Sequence, residues 1–160
     1  MTAIGTRPSG VRVPGESDRS RQVRQRAVLT LPSRAVLVAS VRVFAAGVLR
    51  RWGVGTEEQD AAVLIVDELA ANAVLHGRAD MTLELDLDGD TLCIALTDFG
   101  ARAHVADPDV APDEHGRGMG IVEHLADHVE IRPGRDGCRV LARLRVRQFS
   151  GTAGETNPAA

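Results

Sequence analysis

The chain has 160 residues, a net charge of −3 at pH 7, 44% hydrophobic and 26% charged residues, enough for one ordinary soluble core. Its 19 basic residues are all arginine, which excludes a G-x-x-x-x-G-K-[ST] phosphate loop, a Schiff-base lysine and the strand lysine of eukaryotic-type kinases. Three Phe, one Trp and no Tyr leave little on which to stack bases, so a platform for single-stranded nucleic acid is disfavoured.

The charge is unevenly spread. Residues 1–26 hold six arginines against Glu16 and Asp18, or +4, and the remainder carries −7. An acidic body does not suit direct nucleic-acid binding, and the basic arm reads as solvated chain. No apolar signal core lies between Met1 and Arg26. The longest apolar run, Ala61 to Val66, is far short of a membrane span. Cys93 and Cys138 form neither a disulfide framework nor a zinc spacing, which fits a reducing cytoplasm. They are expected as small buried hydrophobes on strands.

Residues 1–25 are rich in Gly, Pro, Ser and Arg without periodicity and read as a disordered arm. A strand at about Ala27 to Leu31 leads to Ser33, which is expected to cap a helix with Leu37, Val41, Phe44, Val48 and Trp52 at helical spacing. Gly53 and Gly55 end it. Thr56-Glu57-Glu58-Gln59 has the form of a capping box and opens a second helix to about His76, with Gly77 behind it. The period then drops to two: Met81, Leu83, Leu85 and Leu87 alternate with polar residues, and Asp88-Gly89-Asp90 turns the chain into a hairpin. The return strand puts Leu92, Ile94 and Leu96 on one face and reaches Asp98. Ala101 to His115 has no pattern, two prolines and four acids. Unpatterned loops longer than ~12–15 residues inside a domain are usually functional or mobile. Gly116-Arg117-Gly118-Met119-Gly120 precedes a third helix, Ile121 to about His128. Strands Val129 to Arg132 and about Cys138 to Arg147 finish the domain, the latter with Val140, Ala142, Leu144 and Val146 inward. One-sided strands predict an α+β two-layer sandwich, an antiparallel or mixed sheet covered on one face by helices. The ordered domain is expected over 26–148, with 149–160 a disordered tail.

Three segments carry chemistry. Glu68, Asn72 and His76 are spaced by four and share one helical stripe; a carboxylate and an amide oxygen one turn apart suit a hard cation such as Mg²⁺. Asp98 ends a strand in register with the inward leucines, where a carboxylate needs a partner such as an exocyclic amine, and Gly100 would let a ligand approach the backbone. Gly116, Gly118 and Gly120 before a helix suit an anion site of backbone amides, although G-x-G-x-G is not a dinucleotide fingerprint. His124 and His128 are i, i+4 on the third helix, a spacing that can bind zinc, with only the loop residues His104 and His115 as further ligands; ordinary surface histidines are the expectation, with a zinc hydrolase as a third function.

In this order the segments resemble the histidine-kinase-like (GHKL) ATPases, and among them the small bacterial serine-kinase anti-sigma factors. Glu68-Leu69-x-x-Asn72-Ala73-x-x-His76-Gly77 is similar to their N box, Asp98-Phe99-Gly100 to their G1 box, and Gly116-Arg117-Gly118-Met119-Gly120 to their G2 box. The resemblance covers about Ala27 to Arg147 and implies a Bergerat-type ATP-binding fold with a mixed sheet.

The resemblance further implies ATP and Mg²⁺ as cofactors. Glu68 would be the general base. Asn72 would hold Mg²⁺, with His76 on the same stripe. Asp98 would accept from the adenine amino group beside Gly100. The amides of Gly118, Met119 and Gly120 would hold phosphates, with Gly116 and Arg117 of the same run also cofactor-binding, and Ala101 to His115 would be a mobile lid over the nucleotide. Arg102 stands where a second G1 glycine is common. Gly137-Cys138-Arg139-Val140 replaces a common Gly-x-Thr-Val, a change that weakens a nucleotide contact unless the charge of Arg139 compensates. The implied function is a cytoplasmic partner switch: a protein-serine kinase that phosphorylates a STAS-domain antagonist and sequesters a sigma factor. Family members are often dimers. Neither a membrane nor nucleic acid is expected as a direct partner. A non-catalytic ATP-binding interaction module is the alternative.

Overall fold

Glycine and the apolar period between them dictate where the chain folds back on itself. The computed structural model describes residues 24–76, 79–100, 116–135 and 137–148. The expected arm, tail and lid, with Gly77, Arg102, His104 and His115, lie outside the described residues, apart from the arm's last residues from Arg24. The elements run β1 (Gln25–Pro32), α1 (Ala35–Arg51), α2 (Thr56–His76), β2 (Asp80–Asp88), β3 (Thr91–Phe99), α3 (Gly116–Leu125), β4 (His128–Pro133) and β5 (Gly137–Arg145).

The five strands form one sheet in the order β1-β2-β3-β5-β4. All four pairings are antiparallel, so the sheet is not mixed as the resemblance implied. The reason is topological. β3 and β4 run in the same direction and are joined through α3, but β5 folds back from β4 and inserts between them. The two co-directional strands therefore never share hydrogen bonds.

Alternation sets the faces. On β2 Met81, Leu83, Leu85 and Leu87 are buried, and on β3 Leu92, Ile94 and Leu96. Opposite them α1 contributes Val41, Ala45, Val48 and Leu49, and α2 contributes Ala62, Ile65, Val66, Leu69, Ala70 and Ala73. Each large aliphatic side chain hidden this way stabilises the fold by ~1.5–3 kcal/mol relative to leaving it in water. The helices thus cover a single face of the sheet, as the one-sided strands require.

Three details depart from the sequence reading. Arg34, not Ser33, occupies the N-cap of α1 and makes no side-chain cap bond; the Ser33 hydroxyl is buried without a partner among the described residues. The capping box of α2 does not close, because Gln59 N–H donates to Gly55 and its side-chain amide to the Val54 carbonyl. Gly55 thereby takes the place before the first turn. The glycine run lies inside α3, which begins at Gly116, and the helix ends at Leu125 with His128 already in β4.

The end of α1 follows the expected chemistry. Gly53 has φ 70, its N–H reaches Arg50 O at 3.1 Å, and Val54 N–H reaches Leu49 O at 3.1 Å. That pair of bonds is a Schellman closure, and it needs a residue that tolerates the left-handed region.

Candidate functional site

Connectivity gathers the three segments at one end of the sandwich. The last turns of α2, carrying Glu68, Asn72 and the backbone of His76, lead into β2 within a few residues, and Met81 on β2 pairs with Asp98 at the far end of β3. Phe99 pairs with Gly137, the first residue of β5. α3 packs on α2 with its first turn toward the same end.

The closest approach is between α3 and the α2 stripe. A Cβ added at Gly118 would stand 2.6 Å from Glu68 Oε2 and 3.8 Å from Asn72 Nδ2. The missing side chain is what lets the backbone of the α3 first turn lie against a carboxylate and an amide together. Gly120 is different: a Cβ there would meet nothing within 4 Å, and its amide falls in the second turn, where it enters the helical ladder. The amides without an intrahelical partner are those of Gly116, Arg117 and Gly118, while Met119 packs its side chain against the core. The free amides therefore lie toward the start of the run that the sequence marked.

Asp98 sits as its register demands, 7% exposed on the helix-covered face. Its cross-strand neighbours are Met81 on β2 and Cys138 on β5. A Cβ at Gly137 would overlap the Asp98 carbonyl oxygen and stand 3.1 Å from Phe99 Cα; only glycine allows β5 to start against this turn. Gly100 follows with φ 83, a left-handed conformation that glycine adopts without strain.

Arg139 does not serve the site. It lies opposite Thr97 on the other face of the sheet, with Nη2 2.9 Å from Glu84 Oε2 and Nη1 3.4 Å from Thr97 Oγ1. The pairing with Arg139 holds the Glu84 carboxyl below the usual carboxylate range. A strand alternates faces every residue, so the position beside Asp98 belongs to Cys138. Its thiol is pushed up by burial and by the Asp98 charge. The sequence contained this signal: Val140, Ala142 and Leu144 fix the inward register, and two residues back from Val140 is Cys138. Both cysteines are free and half-buried rather than buried, on opposite faces.

No group of three metal-ligating side chains forms among the described residues. His124 lies in the last turn of α3 and His128 opens β4, so the two do not share one helix as the zinc spacing requires. What the site offers a metal is oxygen: the Asn72 amide beside the Glu68 carboxylate, which suits Mg²⁺ with retained waters. The same end offers a buried carboxylate for an amino group and helix-start amides for phosphate. These residues fit a magnesium nucleotide. Among the described residues no helix is long and apolar enough to cross a membrane.

A family model for the histidine kinase-like ATPase domain matches residues 31–144. Among solved structures the chain is similar to the RsbU and RsbW domains of Rv1364c from Mycobacterium tuberculosis, at 21% identity and a TM-score of 0.62 over 76% of this chain. It spans about a third of that structure, 32%, so the likeness is one of fold. None of the curated proteins compared matches it.

Proposed function

The chain belongs to the histidine kinase-like ATPase domain family, and from that premise we propose that it is an ATP- and Mg²⁺-dependent protein-serine kinase of a partner switch. In this reading it phosphorylates a STAS-domain antagonist and sequesters a sigma factor when the antagonist is modified. The observation that supports it best is the Gly118 backbone lying against both Glu68 and Asn72. That juxtaposition, a carboxylate and an amide against the start of a helix, supports reading Glu68 as a base and Asn72 as an oxygen ligand.

Bound magnesium nucleotide would supply the phosphoryl group and neutralise charge as it transfers, a reaction that depends chiefly on positioning. Asn72 would offer its amide oxygen to Mg²⁺, with His76 on the same stripe. Asp98 would accept a hydrogen bond from the adenine amino group, with Gly100 leaving room beside it. The amides of Gly116, Arg117 and Gly118 would hold phosphate oxygens, with Met119 and Gly120 continuing the helix behind them. Glu68 would take the proton of the serine hydroxyl as its oxygen bonds to the γ-phosphorus and ADP leaves. The RsbU and RsbW domains of the similar structure and the three boxes together support the partner-switching reading.

The test separates binding from chemistry. Glu68→Gln keeps size and should bind ATP nearly as wild type, while phosphorylation of the antagonist falls ~10²–10⁴-fold, the usual worth of a general base. Asn72→Ala should lose the Mg²⁺ dependence of binding, and Asp98→Asn should weaken ATP in calorimetry with the fold retained. Equal phosphorylation by Glu68→Gln and wild type at saturating ATP would remove Glu68 as the base. A wild type that binds ATP but phosphorylates nothing would return the non-catalytic module.

A further inference from the structure

The sheet face turned away from the helices changes charge across its width. Register aligns two rows there, Asp88–Thr91–Arg145 and Asp86–Cys93–Arg143, each running from acid on β2 through a neutral side chain on β3 to base on β5. No described element packs on this face. Asp88, Arg143 and Arg145 are exposed and form no ion pair among the described residues. The described chain begins at the head of the first row. Gln25 pairs with Leu87, which places Arg24, one residue earlier, beside Asp88. Its guanidinium already bends onto the open face, with Nε 2.7 Å from Asp86 Oδ1 and Nη2 2.5 Å from Asp86 Oδ2. That pairing holds the Asp86 carboxyl below the usual carboxylate range.

We propose that residues 16–23 of this chain lie across the open face as a strap, with Arg21 on Asp88 and Asp18 on Arg145. Three observations select this occupant. The first is the order of charge. Read away from Arg24, the segment offers Arg21 and Arg19 and then Asp18 and Glu16, the complement of a row that runs from acid to base. The second is spacing: β2 and β5 are two strand spacings apart, ~10 Å, and the three residues from Arg21 to Asp18 span ~10 Å when extended. The third is direction, since Arg24 already crosses from β1 to the β2 acids. Exposed ion pairs are weak one by one, but a short tether at Arg24 supplies the segment at millimolar effective concentration. Salt screens such pairs, so the strap is an electrostatic cover that opens as ionic strength rises. Ser20 then lies over β3, in reach of Cys93 in the second row.

The experiment uses the full chain and is independent of kinase activity. Cys138→Ser leaves Cys93 as the one native thiol. In that background Ser20→Cys should close an intrachain disulfide with Cys93 in oxidised glutathione, about tenfold faster than Ser9→Cys farther along the arm. Asp88→Arg should slow the closure about threefold, the scale of one exposed ion pair, and adding Arg21→Asp should restore it. Arg145→Asp should slow it likewise, with Asp18→Arg as the restoring change. Salt at about 1 M, where the screening length is ~3 Å, should bring Ser20→Cys down to the Ser9→Cys rate. A Ser20→Cys closure no faster than Ser9→Cys would overturn the proposal. So would rates indifferent to the reversals or swaps that do not restore them, which would leave the face to a different protein. A disulfide formed between two chains instead of within one would give the face to a second copy, and would overturn it as well.

Discussion

The two ends of the sandwich are closed by opposite means. At the end where α2 starts, the chain ties itself with hydrogen bonds: Gly55 N–H to Arg147 O, the Val54–Gln148 bridge, and the Gln148 side-chain amide to Gly89 O at 2.6 Å. Arg147 adds ion pairs to Glu58 at 2.6 Å and Glu57 at 3.1 Å over a small cleft floored by Ala61, Leu125 and Leu144. At the end where α2 finishes, the chain is brought together by side chains that are absent. Gly118 admits the α3 backbone to Glu68 and Asn72, and Gly137 admits β5 to Asp98. The first end satisfies its polar groups internally. The second brings the first turn of α3 against the Glu68 carboxylate and the Asn72 amide, and β5 against the Asp98 turn, through glycines.

The sharpest way to break this contrast is Gly137→Ala. The added methyl would strike backbone rather than a movable side chain, so β5 must shift, and we expect a loss of about 3 kcal/mol in chemical denaturation, at the upper end of overpacking effects. A variant as stable as wild type would mean that the Asp98 turn yields and that the end is not closed by this glycine.

Gly118→Ala should separate function from stability. Its new methyl meets the tip of the Glu68 side chain, which can swing aside, and alanine is the better helix former by ~1 kcal/mol. The denaturation midpoint should therefore hold or rise while phosphorylation drops by about 10²-fold, the scale of a 1 Å misplacement. Retained phosphorylation would detach Gly118 from the site.

The smallest effect belongs to the other end. Hydrogen bonding to Arg147 lowers the Glu58 carboxyl below its ordinary value. A carboxylate lowered on folding contributes stability that is present above its unfolded pKa and is lost as pH falls through the folded one. Arg147→Ala should therefore shift the midpoint less than either glycine variant, since exposed pairs contribute little. The difference from wild type should vanish in strongly acidic solution. A difference that grows on acidification would show that the pair is not its source.

Much of this site could be read before the fold was known, because it rests on local periods. Glu68, Asn72 and His76 share a stripe by the helical repeat alone, and Asp98 is inward because Leu92, Ile94 and Leu96 are. Arg139 was misplaced by one position, and in a strand one position is the other face. The helix starts were less legible: Ser33 and Thr56 have capping chemistry, but neighbouring backbone groups claimed the bonds first.

What the sequence determined by itself is the set of faces: which side of each strand and helix is apolar, and therefore that helices cover one side of a sheet. Those are relations between residues two to four apart, enforced by backbone geometry. Only the tertiary structure decided the relations between distant segments. Gly118 meets Glu68 across fifty positions, β5 enters between β3 and β4, and Cys138 rather than Arg139 stands beside Asp98. Such contacts depend on strand register and on the path of the connections, which no short-range period encodes.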